Sequence, residues 1–232
     1  MHRPSPTSAS ADTPAAGDPA TTRVARRQQW AGVLLVLGGA TLAAAAIVQP
    51  RGSDEELAVS LAESSAAWSS WGLLIMATAL LQLPAVVMLR AAITSGPGVR
   101  LVAAGGGLTA ASLVALFAFG QSHAEGATMV GSPPVSPELL EAFARTDSSV
   151  SLGVTAVLAL IGFHLGWPLL LAGLARAGAL PAPLAIVGGL AVLLSFFGAA
   201  LGPLGEVALF VVAASSLAAV GLHVLRGSPP PS

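Results

Sequence analysis

Long apolar stretches alternate along this chain with short polar ones marked by proline, glycine and charge. Six apolar stretches recur at about the 20-residue length that carries a helix across roughly 30 Å of hydrocarbon. They run Trp30–Val48, Trp68–Leu89, Leu101–Gln121, Val150–Leu174, Pro183–Ala200 and Glu206–Leu225, the fifth being the shortest. The pattern predicts an all-α fold, a polytopic membrane protein with a six-transmembrane-helix bundle over residues 30–226. Residues 1–29 are rich in Ser, Thr, Pro and Ala without apolar periodicity, so a disordered cytoplasmic tail is expected there. Residues 227–232 are expected as a second, short cytoplasmic tail. Arg26-Arg27 ahead of the first apolar run invites a twin-arginine signal reading, but Gln28, Gln29 and Trp30 follow, and the run exceeds a signal core. An uncleaved first span anchored by Arg23, Arg26 and Arg27 is the expectation.

The connections carry their own signals. Gly96-Pro97-Gly98 and Pro181 mark tight turns on one side. On the other, Ser53 followed by Asp54-Glu55-Glu56 is a helix start, and Trp68 and Trp71 suit an interfacial depth. Ser136-Pro137-Glu138 places a cap, a first-turn proline and an acid in sequence, predicting a short helix with Leu139, Leu140 and Phe143 on one face.

Composition changes the picture in three ways. Charged residues make up only 9% of the chain, which fits lipid surroundings, and the net charge of −1 gives no reason to expect nucleic-acid binding. Cysteine is absent, which excludes disulfides and thiolate chemistry. All basic residues counted as Lys+Arg are Arg, and the Ala-rich composition points to a bacterial source. Charge asymmetry sets orientation. With the N-terminus cytoplasmic, Arg3, Arg23, Arg26, Arg27, Arg90, Arg100, Arg176 and Arg226 lie inside, and only Arg51 and Arg145 outside. Both termini are then cytoplasmic, in a bacterial inner membrane.

Candidate chemistry is sparse. His164 lies fourteen residues from Val150, about 21 Å from the outer boundary. Gln82 lies as far from Trp68, so a Gln82–His164 hydrogen bond is expected, with Trp167 beside it. Pro168 and Pro84 remove donors from the helices that carry this pair, predicting hinges and free carbonyls. At 100° per residue His164 points away from Gly162 and Gly166, so its helix must be contacted on two faces. Small residues mark expected seams: Ala103, Gly107, Ala111 and Ala115 on span three; Gly162, Gly166, Thr155, Ala159 and Gly173 on span four; and Gly188-Gly189 on span five. At the outer rim Gln121, His123, Glu125 and Glu206 are further ligand or relay candidates.

The sequence has no phosphate-binding glycine loop, nucleophile elbow or HExxH motif, and no convergent zinc ligands. No metal, cofactor or catalytic residue is therefore expected; a bis-histidine haem between His164 and His223 would be one isolated pair. No internal repeat supports an inverted-repeat transporter. The segment Gly153…Phe163-His164-Leu165-Gly166, followed by Gly173, Leu180-Pro181, Leu184 and Gly188-Gly189, resembles a bacterial domain-of-unknown-function family of six-helix integral membrane proteins. That resemblance implies a fold and no activity. The leading expectation is a non-enzymatic membrane protein that binds or moves a small apolar or amphiphilic ligand, or assists a partner membrane protein. The alternative is a proton-coupled transporter using His164 and Glu125. The expected partners are the lipid bilayer and either a membrane protein or a second copy of the chain.

Overall fold

The structure is a computed structural model, described here over residues 19–50, 61, 63–130, 136–138, 141, 145 and 149–227. Among these residues all regular structure is helical. The helices are α1 (Pro19–Val48), α2 (Ser65–Ala92), α3 (Val99–Val130), α4 (Val150–Arg176), α5 (Ala182–Ser195) and α6 (Gly202–Leu225). A 3₁₀ turn, Gly198–Leu201, joins the last two. Five of these helical segments are long and apolar enough to cross a membrane, and α5 is a shorter apolar helix.

Two helices outrun their predicted spans by nine residues or more. Helix α1 begins at Pro19, so residues 19–29, expected as part of a disordered tail, are helical. Proline suits a first helical turn, and Ala, Arg and Gln, which recur there, are strong helix formers. Helix α3 continues nine residues past Gln121, the expected end of span three, to Val130. Helix α5 falls short. Pro183–Ala200 was expected as one span, yet the α-helix stops at Ser195. Phe196 and Phe197 bond three residues back, to Leu193 and Leu194 at 3.2 and 3.0 Å, which tightens the chain out of α geometry. Gly202 then takes φ +76°, a backbone conformation open to glycine, and the chain reverses into α6. The predicted helix at Ser53 and the apolar face of Leu139, Leu140 and Phe143 lie outside the described residues. Pro137 and Glu138 are helical as expected. The Glu138 backbone amide and, to a lesser degree, the Ser136 hydroxyl hold the Glu138 carboxyl below the usual glutamate range.

Successive helices run antiparallel in registers set by small residues. Thr41 and Thr78 hydroxyls meet at 2.9 Å between α1 and α2. Gly72 faces Gly120 between α2 and α3; a Cβ on Gly120 would sit 2.8 Å from the Gly72 carbonyl oxygen. Between α3 and α4, Gly105 abuts the Leu170 backbone, Thr109 meets Gly166, and Ser112 meets Gly162. Gly188 and Gly189 of α5 admit Leu171 and Pro168 of α4. Helix α6 returns to α1, where Gly32 and Gly221 face each other, each Cβ site 2.7 Å from the other's carbonyl oxygen. The six helices thus close into a ring in which each packs on its sequence neighbours and α6 packs on α1.

The expected glycine seam on α4 is therefore real contact. The expected stripe on α3 is not: Ala103 and Ala111 are exposed, and the contact face toward α4 is Val102, Gly105, Thr109 and Ser112. An Ala every fourth residue packs no better toward a neighbour than toward lipid, whereas Gly105 is what lets the backbones touch. The outer surface is apolar. Leu73, Leu80 and Val87 recur every seventh residue on α2, each more than half exposed, a belt that suits hydrocarbon and not water.

Candidate functional site

The ring is filled at one end and hollow at the other. Toward Arg90 and Arg176 its centre is packed by Leu35, Val86, Trp167, Leu170, Leu171 and Leu217, all fully buried. Toward Gln49 and Glu206 the helices enclose a cavity of about 280 Å³. Helices α1, α2, α3, α4 and α6 all line it; among the described residues α5 contributes nothing. Most of the wall is Ala, Leu and Ile, with rings from Trp71, Phe119, Phe163 and Phe210. Only Gln49, Glu206 and His164 bring strongly polar side chains, apart from the Trp71 indole.

His164 is at the depth where hollow gives way to packing. It is 4% exposed, and its ring touches those of Phe163, Phe196 and Phe210 at centroid distances of 5.5, 5.4 and 6.3 Å. Its Nδ1 is 2.7 Å from the Leu160 carbonyl, which only accepts, so Nδ1 carries a proton. Its Nε2 is 3.2 Å from Ser195 Oγ, and that oxygen is also 2.8 Å from the Val192 carbonyl. One serine proton cannot serve both. With a neutral imidazole the hydroxyl turns to Nε2 and leaves Val192; with an imidazolium Nε2 donates and the hydroxyl keeps Val192.

The expected Gln82–His164 bond does not form. The registers do put the two residues at one level, as their common depth in the sequence implied. The side chains nevertheless leave toward different neighbours: His164 toward α5, and Gln82 toward α1, where its Cγ would lie 2.6 Å from a Cβ on Gly38. The two-faced contact required of α4 is met, by α3 on the glycine face and α5 on the histidine face. Gln82 is fully buried with neither amide atom paired, and Trp167 Nε1 and Thr109 Oγ1 are likewise buried without partners. Pro84 and Pro168 lie inside continuous helices, Pro168 against the Cβ position of Gly189 at 3.5 Å.

At the cavity mouth Gln49 Nε2 donates to Glu206 Oε1 at 3.3 Å, tying the end of α1 to the start of α6. Gly198 packs on the same glutamate; a Cβ there would sit 2.9 Å from Glu206 Cα. His123 is 6% exposed inside an aromatic box: stacked on Trp68 at 5.4 Å, edge-on to Trp71 at 5.3 Å and tilted on Phe119 at 4.4 Å. Its Nδ1 donates to the Phe119 carbonyl at 2.8 Å. This box forms the back of the cavity wall, since Trp71 and Phe119 line both. Glu125 lies elsewhere. Because α3 continues past Gln121, the two face each other at 2.7 Å on an exposed face, in a separate groove between α2 and α3 with Leu73 and Phe117. His223 is half-buried near the last turn of α6. Among the described residues no three His, Asp or Glu side chains converge as a metal site would require. Both His164 ring nitrogens already have protein partners, so a haem would have to displace Ser195.

Ser195, Gln49 and Phe210 join the site in the structure without having been expected from the sequence. Ser195 had one visible signal: it is an isolated polar residue of span five, twelve residues from the inner end at Pro183, against ten for His164 from Leu174 on span four. Compared with known proteins, the chain matches no family model, no curated protein and no solved structure. The resemblance to a domain-of-unknown-function family rests on the residues from Gly153 to Gly189 given above, with a weaker echo in span two and Arg90.

Proposed function

We propose that this chain is a six-span protein of the bacterial inner membrane, with both termini cytoplasmic, that binds or moves a small apolar or amphiphilic ligand without transforming it. The observation that carries this reading is the cavity: about 280 Å³, aromatic and aliphatic in its walls, with a few polar groups at one end and at its floor. That size is near the lower end of ligand pockets, which run from about 300 to 1,000 Å³. In the proposed orientation the mouth faces outward. The short α5, about 21 Å long at 1.5 Å per residue, stops at the level of His164. Above it α4 and α6 flank the route by which an amphiphile leaves the bilayer for the cavity. The exposed apolar faces meet lipid, a second copy of the chain or a partner membrane protein.

The test is binding of a small uncharged naphthalene dye to full-length protein in nanodiscs. A saturable signal is expected, and Ala159→Phe, which fills the wall, should weaken it at least tenfold with helical ellipticity unchanged. No saturable component in the native protein, or unaltered binding in the variant, overturns the proposal.

A second reading, proton-coupled transport, is favoured by the shared serine proton at His164. Its carboxylate partner is then Glu206, which lines the same cavity, and not Glu125, which lies in another groove. Transport in proteoliposomes that ignores both a pH gradient and His164→Ala would remove this reading.

A further inference from the structure

We infer that the cavity selects an organic cation, an ammonium-type amphiphile, with Glu206 as its counter-charge and aromatic rings as its walls. This rests on the proposal that the cavity is a ligand site, and adds which ligand chemistry it takes. The chain is poor in rings, with seven Phe, four Trp and no Tyr, yet Trp71, Phe119, Phe163 and Phe210 all line this one space. Their concentration is not needed for filling, because the cavity is hollow where the other end of the ring, packed by Trp167 and aliphatic side chains, is solid.

Electron-rich ring faces attract a cation most strongly where water is scarce. Among the described residues the only acid on the wall is Glu206, and no Arg lines it. An anionic ligand would therefore meet an acid at the mouth, with only His164, at the floor beside Phe163 and Phe210, as a group able to carry positive charge. A neutral ligand would leave the carboxylate facing an apolar space with Gln49 as its donor. A cation is the one ligand that satisfies both features. Gln49 holds one carboxylate oxygen, Oε1, and so fixes the direction in which the acid faces the mouth. A carboxylate accepts more donors than this single amide supplies. The volume accepts a compact headgroup, and an apolar tail would follow the α4–α6 side into lipid.

The experiment compares benzyltrimethylammonium with its uncharged carbon isostere, neopentylbenzene, on full-length protein in detergent by displacement of the naphthalene dye. The native protein should bind the ammonium at least tenfold more tightly than the isostere. Glu206→Gln keeps a partner for Gln49 and should cost the ammonium about tenfold while leaving the isostere unchanged. Phe210→Leu keeps the wall apolar and should likewise weaken only the ammonium. Equal binding of the two probes, or an ammonium affinity indifferent to both variants, overturns the cation assignment while leaving the cavity as a ligand site. Binding of neither probe, nor of the dye, overturns both.

Discussion

Gln82 is the residue whose surroundings are hardest to justify by packing alone. An amide buried without partners costs roughly 1–3 kcal/mol of desolvation that no hydrogen bond returns, and here both amide atoms are unpaired. A methionine has nearly the same length and flexibility, and its thioether makes no such demand. Gln82→Met is therefore expected to stabilise the fold by about 1 kcal/mol, read as a shift in the urea midpoint in mild detergent. A loss of ligand binding in this more stable variant would mean that Gln82 is kept for function. A loss of stability would mean that the amide has a partner after all. His164 contrasts with it. The sequence marked both residues as isolated polar groups at equal depth, and the helix registers put them at one level of the bundle. What could not be read was azimuth. Two residues at one level in a ring of helices can face either of two neighbours, and nothing in local spacing tells which helix stands on which side.

At the scale of the helix, close approach decides more than hydrophobicity. All six helices are apolar on most sides, so the burial of oily side chains does not choose their faces, and glycine does. The crossing of α1 and α6 is the clearest case, with Gly32 and Gly221 backbones in mutual contact. Gly221→Leu should separate these helices and destabilise the ring by about 1–3 kcal/mol, as overpacking does in other interiors. Gly153 on α4 is the control, since a Cβ there would meet nothing within 4 Å. Gly153→Ala should stabilise α4 by up to about 1 kcal/mol through helix propensity. If the two substitutions give the same midpoint in thermal unfolding, the contact registers described above are wrong. The Gly162-x-x-x-Gly166 seam was legible because two glycines a turn apart have few other uses. The α3 seam was not, because in a run of Gly105, Gly106 and Gly107 every face offers a small residue, and only the partner's position selects Gly105. The end of α5 was illegible for a related reason. Phe196 and Phe197 are apolar, and hydropathy cannot distinguish a helix that continues from one that tightens into 3₁₀.

For the whole molecule, the ring sorts charge by end. Arg90 and Arg100 flank the α2–α3 turn, Arg176 closes α4, and Arg226 follows α6, all at the packed end of the bundle, with Arg26 and Arg27 on the first turns of α1. The hollow end carries Glu63, Glu125 and Glu206, with Glu138 and Glu141 in the long connection between α3 and α4. An excess of Arg in short connections is the mark of the cytoplasmic side of a helical membrane protein. The packed end should therefore face the cytoplasm and the cavity the periplasm. A six-helix ring has both termini on one face, so a single reporter checks orientation and span number together. A fluorescent protein that matures only in the cytoplasm should be bright when fused after Ser232, and a periplasm-dependent phosphatase at the same site should be inactive. The converse result has two causes that a second fusion separates. If α5, at only about 21 Å, fails to cross, a reporter in the α4–α5 turn near Gly178 stays cytoplasmic while the C-terminus moves outside. If instead the whole ring is inverted, both sites report the periplasm, and the cavity opens toward the cytoplasm.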